Sequence, residues 1–263
     1  MIRTLTATRY ITPLREGGSL PAIVQADDGQ LYVMKFTGAG QGSRALVAEL
    51  VAGEIARALD LAVPPIVLLE LDPAFGRTEG DPEILALLQA SAGLNLGMAF
   101  LPMAFAFSPL LEPAPDSVLA STIVWFDAYV TNVDRTVRNT NMLLWRDRLW
   151  LIDHGAALFF HYAAGWLEST AVRSRNPFVR VKEHVLLRWA SDLAAVDAAL
   201  RGRLSPQVIE QAVAAIPDAW LNGPGASASA DEQRAAYAGY LTQRLEASQV
   251  FVEEALRARQ SLL

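Results

Sequence analysis

Residues 126–155, FDAYVTNVDRTVRNTNMLLWRDRLWLIDHG, are the stretch from which the fold of this chain is inferred. Asp134 lies in a short polar loop of this stretch, and two asparagines follow it. An apolar strand, a turn and a second apolar strand then lead to Asp153 and a His-Gly pair. One carboxylate to orient a hydroxyl, with an amide and a second carboxylate to hold a metal, is the set of groups that phosphoryl transfer uses. The stretch therefore predicts a phosphoryl-transfer site in which Asp134 is the catalytic residue and Asp153 binds the metal.

The amide ligand of that metal is one of two asparagines. Asn139 comes five residues after Asp134, which is the usual spacing between the base and the metal-binding Asn of kinase catalytic loops. Asn141 comes seven residues after Asp134, but it directly precedes the apolar strand that begins Met142-Leu143-Leu144, as that kinase Asn usually does. Spacing favours Asn139 and context favours Asn141, so both remain candidates.

The rest of the chain divides into a strand-rich first part and a helix-rich second part. Alternation and turn signals predict, for the first part, strands near 10–14, 21–25, 31–36, 66–71 and 97–103, a helix at 44–61 with Ser43 as its N-cap, and a helix at 82–89. Helical spacing of apolar residues predicts, for the second part, helices at 116–129, 181–200, 205–215 and 231–259. We therefore expect an α+β chain of two lobes: an antiparallel sheet with one main helix in residues 1–103, and a mainly helical lobe in residues 104–263.

Two features of the predicted sheet suit the binding of phosphate. Lys35 lies in the third strand, and lysine occurs only there and at Lys182, although Lys and Arg together number 22. A cation at this position that faces the junction of the lobes would contact nucleotide phosphates. Gly17-Gly18-Ser19 lies between the first two strands, where backbone N–H groups of a turn can cradle phosphate.

The helix at 44–61 offers two carboxylates that could pair with Lys35. On a helical wheel Glu54 falls within the apolar face, and Glu49 falls near its opposite side. Periodicity alone therefore names Glu54 as the inward-pointing partner of Lys35.

Composition argues against several classes of protein. The net charge of −6 is unsuited to a protein that binds nucleic-acid phosphates, because no basic face is expected at this balance. The apolar runs are far shorter than the roughly 18 residues of a membrane span. The absence of Cys and of an apolar N-terminal signal segment predicts a cytoplasmic protein. No Walker, G-x-S-x-G or HExxH pattern is present, which argues against P-loop NTPases, hydrolases of the nucleophile-elbow type and such zinc enzymes.

Five motifs, in this order and at workable spacings, together resemble the HipA-like kinase family, a distant relative of the protein and lipid kinases. The resemblance covers about residues 9–187, and its motifs are GGSLP (Gly17–Pro21), YVMKF (Tyr32–Phe36), AELVAGEIARALDLAVP (Ala48–Pro64), NVDRTVRNTN (Asn132–Asn141) and LIDHGAAL (Leu151–Leu158). The spacing Glu-x8-Ala-Leu-x-Leu-x-Val-Pro in the third motif is typical of this family, and it aligns Glu49 with the family's glutamate. This conflicts with the helical wheel, and the sequence leaves the choice open.

The resemblance implies a two-lobed, protein-kinase-like fold that binds ATP and Mg²⁺ between its lobes. It implies that Lys35 contacts phosphates, that Asp134 acts as the base or orients the acceptor, and that the backbone of the hinge at 101–103 meets adenine. The expected acceptor is a Ser or Thr hydroxyl of an unknown protein. The resemblance to this family implies the following site residues: Gly17, Gly18, Ser19, Lys35, Glu49, Leu101, Met103, Asp134, Asn139, Asn141 and Asp153.

Three departures from the family pattern bear on the acceptor. Asn132-Val133, and not a His-containing pair, precedes Asp134; His-Gly rather than Phe-Gly follows Asp153; and Ala22 stands where a Lys often follows the phosphate loop. ATP binding remains the expectation, whereas a small molecule or a lipid remains possible as the acceptor. The alternative from another class is an ATP-binding pseudokinase that serves as a regulatory, partner-binding module.

Overall fold

The N-terminal third of the chain is a closed five-stranded barrel. The computed structural model describes residues 2–14, 20–76, 80–110, 112–223 and 228–262. The barrel strands are β1 Thr4–Pro13, β2 Ala22–Ala26, β3 Leu31–Lys35, β4 Ile66–Leu71 and β5 Gly93–Ala99, neighbouring one another in the order β1-β2-β3-β5-β4. These strands form a closed barrel in place of the expected antiparallel sheet, because β1 also pairs with β4 in parallel, while the other pairings are antiparallel.

Alternation along β3 determines which way Lys35 points. Tyr32 and Met34 are buried in the barrel core, where they meet Val24 and Leu69. Because successive side chains of a strand point to opposite faces, Lys35 lies on the outer face of the barrel.

A single helix, α1 (Ser43–Ala58), joins the barrel to the remainder of the molecule. Every residue from Leu46 to Gly53 is buried, so the helix is covered on all sides. A Cβ on Gly53 would lie 2.4 Å from Cδ1 of Ile66, so a larger residue there would require the Ile66 side chain of β4 to move. The apolar residues of α1 belong to the large core that continues through the C-terminal helices.

The remaining two-thirds of the chain is mainly helical. Its helices are α3 Ser117–Tyr129, α4 Trp166–Arg173, α5 Leu193–Arg203, α6 Pro206–Ala214, α7 Asp218–Leu221, α8 Ala230–Glu246 and α9 Ser248–Gln260, with 3₁₀ turns at Phe159–Tyr162, Val179–Glu183 and Leu187–Trp189, whereas the short helix α2 Pro82–Ala90 lies between β4 and β5 of the barrel. A small antiparallel sheet, β6 Phe105–Ala106, β7 Met142–Trp145 and β8 Arg148–Leu151, carries the hairpin of the opening stretch. Within the described ranges, no helix has the length and apolar character that crossing a membrane requires.

Several predicted elements are confirmed to within one residue at each end: the strand at 66–71 and the helices at 82–89, 116–129 and 205–215. The strand expected at 97–103 is instead β5, Gly93–Ala99. Gly97 lies inside it because a Cβ there would come within 2.5 Å of Cδ1 of Leu69. Glycine in this strand therefore marks close packing against β4, and it does not mark the start of the strand.

Two predicted long helices are each broken. The segment expected as a helix at 181–200 contains two 3₁₀ turns before α5 begins, since His184 is held by contacts with the loop after α3 and accepts a hydrogen bond from the Leu186 N–H at 3.0 Å. The helix expected at 231–259 divides at Ala247 into α8 and α9, without a Gly or Pro at the break.

The prediction of Ser43 as an N-cap is also wrong: the cap position is Gly42, and the Ser43 hydroxyl donates to the Trp220 carbonyl at 2.8 Å.

Candidate functional site

Lys35 forms ion pairs with carboxylates from two distant parts of the chain. Its Nζ lies 2.5 Å from Oε2 of Glu49 on α1 and 2.6 Å from Oδ1 of Asp153, two residues beyond β8. Burial works against its charge, but the Asp153 and Glu49 carboxylates raise the pKa of Lys35 above its ordinary value. Lys35 is therefore a fixed cation that joins the barrel, α1 and the residues after β8.

Glu49, and not Glu54, is the carboxylate of α1 that meets Lys35. Glu49 is fully buried, and its Oε1 lies 3.2 Å from Nδ1 of His154. Burial opposes its ionisation, yet Lys35 and His154 hold the pKa of Glu49 well below its usual range. Glu54 instead lies 3.4 Å from Arg57. The helical-wheel choice of Glu54 is wrong because α1 is buried all round, so its apolar periodicity does not identify the side that faces Lys35.

Asp134 and Asp153 are brought together from the two ends of the opening stretch. Asn139 Nδ2 donates to Oδ2 of Asp134 at 2.7 Å, and Asn141 Nδ2 lies 3.4 Å from the same oxygen and 3.5 Å from the backbone carbonyl of Asp153. Partial burial and the negative charge of Asp153 raise the pKa of Asp134 above its ordinary value. The two carboxylates are therefore close enough to repel each other.

Two residues of this site have an unfavourable backbone conformation. Asp153 and Asn141 adopt left-handed conformations, with φ of 55° and 48°. This region is costly for residues other than glycine, although Asp and Asn tolerate it best. Such strain persists where the surrounding structure enforces it, and it is frequent at functional sites.

The raised pKa of Asp134 predicts a dependence of stability on pH. The folded protein binds a proton at Asp134 more tightly than the unfolded chain does. Ionisation of Asp134 therefore lowers the free energy of unfolding as the pH rises from the unfolded pKa through the folded pKa. We expect Asp134→Asn, which removes the charge and keeps the shape, to raise the melting temperature near pH 7. The gain should vanish as the pH falls to about 4.

Thermal denaturation of both proteins between these pH values tests this prediction, with the exposed Asp147→Asn as the matched control. A difference in melting temperature between Asp134→Asn and wild type that does not change with pH would contradict the prediction.

Behind the Asp134 loop lies a fully buried carboxylate, Asp127 of α3. Its Oδ2 accepts a hydrogen bond from Arg135 Nε at 2.6 Å and lies 2.8 Å from His184 Nε2, and its Oδ1 accepts from Asn132 Nδ2 at 2.8 Å. Burial opposes its ionisation, but the charge of Arg135 and the hydrogen bond with His184 hold the pKa of Asp127 well below its ordinary value. The loop that carries Asp134 is therefore anchored to α3 on both sides of that residue.

Arg135 also joins the two segments that carry the candidate metal ligands. Its Nη1 donates to the carbonyl of Asn141 and lies 3.4 Å from the carbonyl of Ile152. One buried guanidinium thus holds Asn141 itself and the residue before Asp153.

The role of this network was missed by the reasoning from sequence, although one signal was present. Asp127 is the only charged residue of α3, SVLASTIVWFDAY, and a buried charge requires a partner. Nothing in the sequence identifies Arg135 and His184 as the partners of Asp127.

The remaining predicted site residues lie in other segments. Leu101 is buried and Met103 is 86% exposed, on the connection between β5 and β6. Met103 has a φ of 59°, and the carbonyl of Pro102 accepts a hydrogen bond from Trp145 Nε1 at 2.9 Å. The predicted phosphate-loop residues Gly17, Gly18 and Ser19 lie outside the described residues.

The donor set around Asp153 fits a hard divalent cation. Magnesium takes oxygen ligands and commonly uses one or two carboxylates together with phosphates and waters. Asp153 and Asn141 can offer a carboxylate and an amide oxygen, and Asn141 Oδ1 has no hydrogen-bond partner among the described residues. Among the described residues, no group of three or more His, Cys, Asp or Glu side chains is arranged to hold a metal ion. A cation held here would also relieve the repulsion between Asp134 and Asp153.

Comparisons with known proteins agree with this architecture. A family model described as HipA-like kinase matches residues 8–249. The crystal structure of a Helicobacter pylori proinflammatory kinase, CtkA, is similar with a TM-score of 0.59 and 13% sequence identity, over 99% of each chain. A structure of the Golgi casein kinase with Mn/ADP bound has a TM-score of 0.45 and 12% sequence identity, over 94% of this chain and 73% of that chain. A second structure of the Golgi casein kinase has a TM-score of 0.44 and 11% identity, over 94% of this chain and 74% of that chain.

A comparison with curated protein sequences gives no significant match. The likeness to CtkA shows a kinase-like fold, and the family match extends through the barrel, the site and most of the helical part. The chain therefore belongs to the HipA-like kinase family and is a phosphotransferase.

Proposed function

We propose that this chain is a kinase of two lobes that transfers the γ-phosphoryl group of ATP, with Mg²⁺, to a Ser or Thr hydroxyl of a protein. The observation that carries the proposal is the meeting of Lys35 with Glu49 and Asp153, beside Asp134. Residues 1–103, which include the barrel and α1, form one lobe, and residues 104–263 form the other. The nucleotide would bind between them, with the backbone of Leu101 and Met103 contacting adenine, and the family resemblance assigns phosphate contacts to Gly17, Gly18 and Ser19.

The charges of the site suit in-line transfer, which depends mainly on positioning and on neutralising phosphate charge. Lys35, held by Glu49, contacts the phosphates of the nucleotide. Asp134 orients the acceptor hydroxyl and takes its proton, and its raised pKa makes it a stronger base than an ordinary Asp. The hydroxyl oxygen forms the new bond to the γ-phosphorus as the bond to the leaving oxygen of ADP breaks. Magnesium, when bound by Asp153 and an asparagine, supplies charge neutralisation at the phosphates.

Asn141 is the asparagine that we assign to the metal. Asn139 is exposed, and in the described part of the chain its side chain contacts Asp134, at 2.7 Å, but not Asp153. Asn141 is buried, lies beside both Asp134 and Asp153, and is held in place through its carbonyl by Arg135.

Substitution of each asparagine by glycine tests this assignment, because glycine also accepts the left-handed backbone of Asn141. We expect Asn141→Gly to reduce transfer by about 10²-fold and to raise the Mg²⁺ concentration required for half-maximal activity. Asn139→Gly should leave the Mg²⁺ requirement unchanged. Initial rates measured against Mg²⁺ concentration decide between the two, and a shifted Mg²⁺ requirement for Asn139→Gly alone would reverse the assignment.

Incubation of the protein with γ-labelled ATP tests the proposed function. We expect label on Ser or Thr, in the chain itself or in proteins of an added cell extract, with Mg²⁺ present and none with excess EDTA. Phosphoamino-acid analysis identifies the labelled residue. Binding of ATP without any labelled product would support a pseudokinase, and label that appears only on a lipid or a small molecule would refute the protein acceptor.

A further inference from the structure

A cavity of about 170 Å³ lies beside the Asp134 loop, apart from the Lys35 cluster. Val133 and Thr131 line it from the loop itself, and Phe159 lines it from the segment that follows Asp153. Val133 is the neighbour of Asp134 in the chain, so the wall of the cavity begins one Cα step, about 3.8 Å, from the proposed base. A group bound in this cavity would therefore lie beside the loop that carries Asp134.

Three arginines line the same cavity: Arg173, Arg180 and Arg244. Arg244 is only 1% exposed, and within the described residues its guanidinium donates only to backbone carbonyls, those of Ala128, Tyr129, Ser174 and Asn176. Its Nη2 carries two N–H groups but donates only to Ala128, so one N–H has no acceptor among the described residues.

The positive charge of the cavity is only partly balanced. Arg173 donates to Ser169 Oγ at 2.7 Å, and neither it nor Arg244 forms an ion pair within the described ranges. Arg180 forms one ion pair, with Glu183 at 3.2 Å. In a chain with a net charge of −6, this is a local excess of cations. Of the three, only Arg244 is buried, while Arg173 is half-buried and Arg180 is exposed. A buried charge without a counter-ion is costly, so an anionic occupant of the cavity would be favoured mainly by Arg244.

The size and rim of the cavity indicate what kind of anion fits. Pockets for small molecules usually enclose about 300–1,000 Å³, so this cavity suits one side chain and not a whole nucleotide. Its rim is apolar, with Phe159 50% exposed and Val179 53% exposed. An extended polypeptide that placed a carboxylate in the cavity could pack its neighbouring residues on these two side chains.

We propose that this cavity binds an Asp or Glu side chain of the acceptor protein, about one to three residues from the phosphorylated Ser or Thr. The proposal rests on the proposed function, because it takes the acceptor to be a polypeptide. It adds an acidic residue beside the hydroxyl as the feature by which the enzyme selects its substrate.

Short peptides with a central Ser or Thr, and with Asp, Glu, Ala or Arg at each flanking position in turn, test the proposal. With wild type and γ-labelled ATP, we expect an acidic residue at one flanking position to raise kcat/KM about tenfold or more over Ala, mainly by lowering KM. The double variant Arg173→Gln/Arg180→Gln should lose this preference, so that its kcat/KM for acidic and for Ala peptides becomes equal. The matched control is Arg175→Gln/Arg188→Gln, two exposed arginines outside the cavity, which should keep the preference.

A binding measurement without ATP separates failure of this proposal from failure of the proposed function. Fluorescence anisotropy of the labelled acidic and Ala peptides reports the preference independently of transfer. If wild type prefers acidic peptides and Arg173→Gln/Arg180→Gln does not, the binding data support the proposed cavity. If no peptide is phosphorylated in addition, that absence counts against the kinase assignment alone. Equal binding of acidic and Ala peptides, or a preference that survives in the cavity variant, overturns the proposal.

Discussion

Asp153→Asn should reduce phosphoryl transfer by about 10³-fold or more and leave the protein folded. The substitution removes the charge that we assign to the metal but preserves the shape of the side chain. Asn also tolerates the left-handed backbone of Asp153, whose φ is 55°. Lys35 retains its ion pair with the buried Glu49, so no buried charge loses its last partner. Rates from γ-labelled ATP and thermal denaturation of the same preparation measure both effects.

The matched control is Asp147→Asn, in the turn between β7 and β8. Asp147 also has a left-handed backbone, with a φ of 58°, but it is exposed and stands outside the site. Its substitution should change neither rate nor melting temperature appreciably. Wild-type transfer by Asp153→Asn would rule out the metal-binding role of Asp153, whereas unfolding of the variant would show that Asp153 is needed mainly for structure.

Arg135→Met should destabilise the protein by about 3–5 kcal/mol, because it leaves the buried carboxylate of Asp127 without its cation. For a chain of this size that corresponds to a fall in melting temperature of about 6–20 °C. Transfer should also fall below the wild-type rate at temperatures where the variant is folded, since the carbonyls of Asn141 and Ile152 lose the donor that positions them. Thermal denaturation and initial rates at low temperature check the two parts.

Two further variants show whether the buried pair is the cause. Arg257→Met removes an ion pair of 2.5 Å to Glu254, but Arg257 is 72% exposed and solvent screens the pair, so its loss should leave the melting temperature almost unchanged. Adding Asp127→Asn to Arg135→Met removes the orphaned charge and should restore part of the stability lost. A melting temperature of Arg135→Met equal to that of Arg257→Met would contradict this account of the network.

The sequence was most informative where local pattern decides structure. Alternation in LYVMK places Lys35 on the face opposite Tyr32 and Met34, and the structure confirms that geometry. The strand at 66–71 and the helices at 82–89, 116–129 and 205–215 also follow from their local apolar periodicity. The order of the motifs led to the family, which the family match confirms.

Tertiary contacts decide what the sequence could not. The partner of Lys35 depends on how α1 is rotated, and a helix buried on all sides carries no amphipathic signal for that rotation. The bonds of Asp127 to Arg135 and His184 join residues 8 and 57 positions apart, so neither periodicity nor spacing reveals them. The helix expected at 181–200 is broken by the same contact of His184, which also explains why local propensity failed there.

The most direct test of the central claim is a pair of parallel reactions, one with γ-labelled and one with α-labelled ATP, each with Mg²⁺ or with EDTA. The account predicts that protein Ser or Thr takes up label from γ-labelled ATP alone, that EDTA prevents it, and that Asp153→Asn loses it while Asp147→Asn retains it. Absence of γ-label from every acceptor, or equal incorporation from α-labelled ATP, would contradict phosphoryl transfer at this site.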